Sequence, residues 1–343
     1  MLKRLHVTPT LAVVLVLLLL VTFGALRYDG FLGAYNVQSV LRYISMFALV
    51  SLGMCFVIMT GGIDLSVGSV AAMSSVVAAL LSPYGLIPGL LGGLGAGLLA
   101  GTLNAFLITR MKILPFIATL ATMLAASGTG LLLANNQSVS VSYDTAFTTL
   151  GQGELLSFMR PDWVDADGAS IWAQAWGFFL GFPTPAWIAL AAYLLGALVL
   201  NHTPFGRHVL AVGGGTEASR LMGLPVDRTI FSVYVISGAC AGMAGVILAS
   251  QFGAGQPIEG IGWELFAIAS VVVGGTLLAG GRGSIGGTLA GALLLGLIFT
   301  ILNFENGMGW ISLSAYWQSV VRGLFLLIVV ILQSRLTKLP AKA

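Results

Sequence analysis

Charge is what this chain has least of. Only 8% of its 343 residues are Asp, Glu, Lys or Arg, where a soluble protein carries about a quarter. Against a hydrophobic content of 57%, so few polar groups cannot cover a water-exposed surface, and the soluble classes are excluded. Cysteine is scarce too. Cys55 and Cys240 both lie inside apolar runs, where they read as small hydrophobes, and no disulfide is expected. His6, His202 and His208 have no zinc-ligand spacing. No Gly-Lys pair occurs in the chain, so its glycine-rich turns are not a phosphate loop. There is no row of buried Asp, Glu or His of the kind an ion-coupled carrier uses, and no nucleophile–base pair. The net charge of +3 is not arranged as a basic stripe among exposed aromatics, so nucleic acid is not an expected partner.

What the chain does have is long apolar runs, with its few charges sorted by sign between them. Basic residues fill every second gap: Lys3 and Arg4, then Arg110 and Lys112, then Arg207, Arg220 and Arg228, then Arg282, then Arg335, Lys338 and Lys342. The gaps between hold Asp29, Asp144, Glu154, Asp162, Asp165, Asp167, Glu259, Glu264 and Glu305. Basic residues stay on the cytoplasmic side of a bilayer, so the alternation predicts a topology as well as a class.

The expected fold is an all-α polytopic membrane protein of about ten spans, at 10–27, 38–59, 66–82, 87–109, 113–134, 185–201, 229–250, 263–279, 284–303 and 315–333. Both termini are then cytoplasmic. The third and eighth spans are short enough to enter and leave on one side. Lys3 and Arg4 ahead of Leu11 to Leu20 resemble a signal peptide, but an uncleaved first span is the better reading. Residues 1–343 are expected to form a single membrane domain. Its halves, 1–134 and 184–343, are separated by an outer loop, 135–183, and the second carries a large cytoplasmic loop, 202–228. Leu91-Gly92-Gly93 with Ala96, Gly97 and Leu99 matches Ile285-Gly286-Gly287 with Ala290, Gly291 and Leu293, a weak sign of an inverted repeat. The 46 glycines suit helices packed closely in lipid.

Three segments are candidates for activity. In Thr60-Gly61-Gly62-Ile63-Asp64-Leu65-Ser66-Val67-Gly68-Ser69 the paired glycines break a helix. Asp64 or Ser66 then either caps the next helix or takes a direct part in gating or transport. Gly274-Gly275 and Gly280-Gly281-Arg282-Gly283 form a comparable break in the second half. The second candidate is Gly213 to Pro225. There Thr216 is expected to cap a two-turn helix ended by Gly223. Glu217 and Arg220 pair at i, i+3, and Leu221, Met222 and Leu224 form an apolar face. Such a helix needs a surface to lie on, either a partner or its own bundle. The third candidate is the outer loop, with Trp163, Trp172 and Trp176. It reads either as an interfacial aromatic belt or as a docking rim for a soluble protein. Arg42 and Arg322 sit near outer span ends, where they are expected to snorkel.

Gly61-Gly62-Ile63-Asp64-Leu65-Ser66-Val67-Gly68, together with Glu217-Ala218-Ser219 and Gly223, resembles the permease subunits of bacterial ABC sugar importers of the ribose, xylose and galactoside class. The resemblance covers nearly the whole chain. The stretch Trp263 to Gly281 and Asn303-Phe304 bring it nearest to a permease of the galactofuranose importer. What this implies is a ten-helix fold with an inverted repeat in the bacterial inner membrane. It also implies a second permease (identical or different), two ATP-binding subunits and a periplasmic sugar-binding protein. ATP would be bound by the partner, leaving this chain no cofactor of its own. By the same analogy Glu217, Ala218, Ser219, Arg220, Leu221, Met222 and Gly223 would couple to the ATPase. Gly61, Gly62, Asp64, Ser66 and Gly68 would lie near the translocation path. The outer loop 135–183 is longer than the family usually has. A stand-alone ion-coupled sugar carrier and a non-transporting membrane scaffold are the alternatives at this point.

Overall fold

The computed structural model of the chain describes residues 9–159, 161 and 170–308, together with Trp317, Val320, Gly323, Leu324 and Leu327. Those five are helical, and the rest of the expected tenth span, 315–333, lies outside the described residues, as do Trp163, Arg322 and both charged termini.

The first half begins with α1 (Pro9–Arg27), α2 (Ala34–Met59), α3 (Val67–Leu81), α4 (Leu86–Thr109) and α5 (Pro115–Leu133). Next come three short or peripheral helices: α6 (Thr149–Gln152), α7 (Ile171–Leu180) and, after the sixth long helix α8 (Thr184–His202), α9 (Pro204–Gly214). The chain continues with α10 (Thr216–Leu221), α11 (Val226–Phe252), α12 (Trp263–Val273) and α13 (Ile285–Met308). Among the described residues, eight helices are long and apolar enough to cross a membrane. The protein is an all-α multi-span membrane protein.

Glycine sets where the long helices stop. α2 ends at Gly61 (φ 80°) and α11 at Gly253 (φ 69°), both in the left-handed region that suits glycine. After each stop comes a break, a short helix (α3 or α12) and a long helix with a glycine face (α4 or α13). α12 covers only residues 263–273 of the expected span 263–279, because Gly275 at φ 92° turns the chain. Its 11 residues reach about 16 Å, roughly half the hydrocarbon thickness.

The packing crosses between the halves. α2 lies chiefly against α11, α12, α13 and α8, whereas α11 lies against α4, α3 and α2. The closest approach joins α4 to α11. A Cβ on Gly97 would stand 2.5 Å from the Gly242 Cα, and one on Gly101 would stand 2.9 Å from the Gly238 Cα. Only glycine lets two backbones meet this way, and in lipid such contact replaces the missing hydrophobic drive. Gly274 of the second break similarly abuts Gly287 of α13.

The described residues of segment 135–183 are largely built onto the bundle. Its strand β1 (Val139–Ser140) pairs antiparallel with β2 (Ala254–Gly255), which follows α11. Ser250 of α11 donates to the Phe147 carbonyl (2.8 Å) and accepts from the Gly151 amide (2.6 Å). Arg42 does not simply snorkel; it lies 3.8 Å from Glu154, which draws it toward this loop. Trp172 and Trp176 are exposed on α7.

The α4–α11 contact predicts that Gly97→Ala destabilises the purified protein by about 1–3 kcal/mol, since backbone cannot move aside. Gly95→Ala, on the same helix with nothing near its Cβ position, is expected to keep the melting temperature or raise it slightly. Equal melting temperatures for the two variants in mild detergent would remove this contact as the determinant of packing.

Candidate functional site

The first candidate segment folds into a buried polar knot. Once Gly61 and Gly62 have ended α2, the chain reverses, and Asp64 and Ser66 arrive almost wholly inside the bundle, each 1% exposed. Asp64 Oδ1 accepts from the Ser66 amide (3.0 Å) and the Ser66 hydroxyl (2.6 Å), and Oδ2 accepts from the Ser237 hydroxyl of α11 (2.8 Å). Asn104 Nδ2, on α4, donates to Ser66 Oγ (2.9 Å). The Thr122 hydroxyl, on α5, donates to Asn104 Oδ1 (2.6 Å). One chain of hydrogen bonds therefore runs from α5 through α4 and the break to α11.

Burying a carboxylate is costly unless its charge is met by donors. Here three neutral donors meet it, and no ion pair to Asp64 exists among the described residues. Asp64 takes up the amide just ahead of α3, which is a capping action. Ser66 spends its hydroxyl on Asp64 rather than on a backbone amide. Two neighbours fix the geometry. A Cβ on Gly62 would stand 2.5 Å from Tyr234 Oη, so only glycine leaves room for the ring. That hydroxyl is buried and has no hydrogen-bond partner among the described residues. Gly68, in the first turn of α3, lies directly on the Gly260 carbonyl.

The structure thus gathers Gly62, Asp64, Ser66 and Gly68 inside the fold, while Gly61 is exposed at the turn. The sequence reading missed Asn104, Thr122, Ser237 and Tyr234. Asn104 alone gave a usable signal, as an amide inside an otherwise apolar span. The hydroxyls gave none, because serine and threonine are common in membrane helices.

The second candidate stands at the end of the bundle that carries Lys112 and Arg282. α10 is six residues long, Thr216–Leu221, too short to be stable alone. Thr216 does not cap it as expected. Gly215 holds that position, and the Thr216 hydroxyl bonds back to the Val212 carbonyl (3.3 Å), because Thr216 already lies inside the helix. Gly223, at φ 78°, turns the chain away as expected. Ser219 is buried and roots the helix, and the Leu224 amide closes onto its carbonyl (3.0 Å). Glu217 and Ala218 are exposed, as is Gly223. Leu221 and Met222, 89% and 68% exposed, point away from the body. Glu217 and Arg220 pair at 3.6 Å, as their spacing predicts.

α9 delivers α10 to this place and is itself seated on both glycine breaks. Gly213 packs directly on the Met59 carbonyl at the end of α2, and the Gly281 amide donates to that same carbonyl (3.0 Å). A Cβ on Gly280 would stand 2.8 Å from the Gly61 amide. The two breaks, one from each half, therefore touch each other beneath α9.

Comparison with known proteins bears on this arrangement. Residues 36–330 match the model of a family described as branched-chain amino acid transport system / permease component. This chain belongs to that permease family. It is 36% identical over 339 residues to a ribose import permease protein of Bacillus subtilis (strain 168), covering 97% of this chain and 96% of the relative. An L-arabinose transport system permease protein of Escherichia coli (strain K12) is 36% identical over 311 residues, 90% and 85% of the two chains. An L-arabinose ABC transporter permease protein of Azospirillum brasilense is 33% identical over 321 residues, 93% and 86% of the two. No solved structure matches the chain.

The hydrogen-bond chain predicts that Asn104→Leu destabilises the permease by about 1–3 kcal/mol, because Ser66 and Thr122 both lose a buried partner. Thr129→Val, on the exposed side of α5, should change stability by less than about 0.5 kcal/mol. Indistinguishable thermal unfolding of the two would show that the knot carries no weight.

Proposed function

We propose that this permease is the membrane subunit of an ATP-binding-cassette importer that brings a small sugar into the cytoplasm. ATP is bound and hydrolysed by separate partner subunits. The observation that carries the reading is α10, a helix too short to stand alone, with Leu221 and Met222 held out from the body. An apolar tip of this kind on an otherwise polar loop calls for a partner surface, and Glu217 and Arg220 supply charges beside it. The names of the ribose and arabinose relatives support a sugar as cargo. Galactofuranose is the sugar we favour, on the resemblance in Trp263 to Gly281 and at Asn303-Phe304.

In this reading Glu217, Ala218, Ser219, Arg220, Leu221, Met222 and Gly223 form the coupling element seated on the ATPase. The importer contains two ATPase subunits, a second permease, identical or different, and a periplasmic sugar-binding protein that delivers cargo to the outer face. The protein sits in the bacterial inner membrane with both termini in the cytoplasm. Gly61, Gly62, Asp64, Ser66 and Gly68 act on gating. Their burial favours a role in holding α3 and α11 in register over direct contact with sugar. The two breaks meeting beneath α9 give a short mechanical route from α10 to these residues.

Uptake of labelled D-ribose, L-arabinose and D-galactofuranose by a strain lacking the chain, with and without its restoration, tests the cargo. Glu217→Ala and Gly223→Leu are expected to leave the amount of membrane-inserted protein unchanged. Both should reduce ATP-driven uptake by about tenfold or more, corresponding to roughly 1.4 kcal/mol of lost coupling. Full uptake in both variants would refute α10 as the coupling element.

A further inference from the structure

We propose that Asp227 is a positioning residue that ties α10 to the turn between α4 and α5, so that displacement of α10 carries α4, α5 and α11 with it. The inference rests on the reading of α10 as the seat of the ATPase. The geometry divides the carboxylate between two segments far apart in sequence. Its Oδ1 lies 3.5 Å from Arg220 Nη2 at the end of α10, and its Oδ2 accepts from Lys112 Nζ (2.9 Å) in the α4–α5 turn. Arg220 also reaches Glu217 at 3.6 Å, so Lys112, Asp227, Arg220 and Glu217 form one line of alternating charge.

Two features mark this line as more than an incidental surface pair. Lys112 adopts φ 56°, the left-handed region that a residue with a long side chain seldom occupies. That conformation stands where the turn brings its ammonium to Asp227. Asp227 lies in the first turn of α11, where the helix dipole favours a carboxylate over a neutral group. The elements joined here at the surface are also the ones joined at depth. α4 contributes Asn104, α5 Thr122 and α11 Ser237 to the knot around Asp64. α10 thus connects through Asp227 to a block already cross-braced inside the membrane.

Exposed ion pairs contribute little to stability, and all three partners of this junction are about half exposed. The expected effect therefore falls on coupling and not on folding. The test uses the complete importer, with ATPase and binding protein, in lipid nanodiscs for hydrolysis and in proteoliposomes for uptake. The sugar is whichever of D-ribose, L-arabinose and D-galactofuranose the unaltered importer carries. Asp227→Asn and Lys112→Gln should each lower the sugar imported per ATP hydrolysed by about two- to five-fold. The double variant should be no worse than either single one, and Asp227→Glu should restore the ratio. Melting temperatures should stay at the unaltered value throughout.

An unchanged ratio in Asp227→Asn overturns the proposal, as do losses that multiply in the double variant or losses that follow a lowered melting temperature. If the unaltered chain assembles with no ATPase, the functional reading fails and this inference falls with it. Normal coupling in the unaltered importer together with an indifferent Asp227 overturns the inference alone.

Discussion

Within a bilayer, apolar side chains gain nothing by leaving lipid for a neighbouring helix, so association depends on how closely backbones can approach. In this permease that constraint is met most fully where α4 crosses α11, with Gly97 and Gly101 against Gly238 and Gly242. The rest of the molecule is organised around this crossing. It brings Ser237 near enough to donate to Asp64, and Asn104 near enough to donate to the Ser66 hydroxyl that serves the same carboxylate. It also sets α11 so that its first turn meets the α4–α5 turn. A larger residue at the crossing would separate both polar junctions at once, although none of the glycines takes part in either.

The second constraint is polar. A buried group in hydrocarbon cannot turn to water, so each must find its partner in the protein. Asp64 illustrates how this is met without a cation: three donors from two elements share its charge, and a fourth element steadies one donor through Asn104. Such a network holds only while all its helices keep their places. Displacing any one of them would leave a buried polar group without its partner.

How much of this was legible in the sequence depends on range. The sorted charges marked the spans, and residue chemistry marked the stops: Gly61 ends α2 and Gly223 turns the chain after α10, each by its left-handed conformation. Glu217 and Arg220 paired as their spacing required. Errors arose where two parts of the chain decide a matter together. Thr216 looked like a cap, but it is the first residue of the helix, and Gly215 takes the cap position. Residues 274–279 looked like membrane span because they are apolar, yet the turn at Gly275 ends α12. Arg42 found Glu154, more than a hundred positions away. The donors to Asp64 stayed hidden because a serine in an apolar run looks the same whether or not it faces an acid. Asn104 was visible as an oddity, but its partners were not.

The exchange of long helices between halves has a consequence for how the protein is made. From Ile44 to Met59, α2 is wholly covered in the finished bundle, and much of that cover comes from α11, α12 and α13. While the ribosome is still producing residues 135–183, α2 has none of that shelter, and Asp64 lacks the hydroxyl of Ser237, which lies 173 residues downstream. The early helices must therefore wait in the bilayer, half assembled, with an acid incompletely solvated. Until α11 emerges, α3, α4 and α5 can pack on one another, but α2 and Asp64 stay without the partners that complete them.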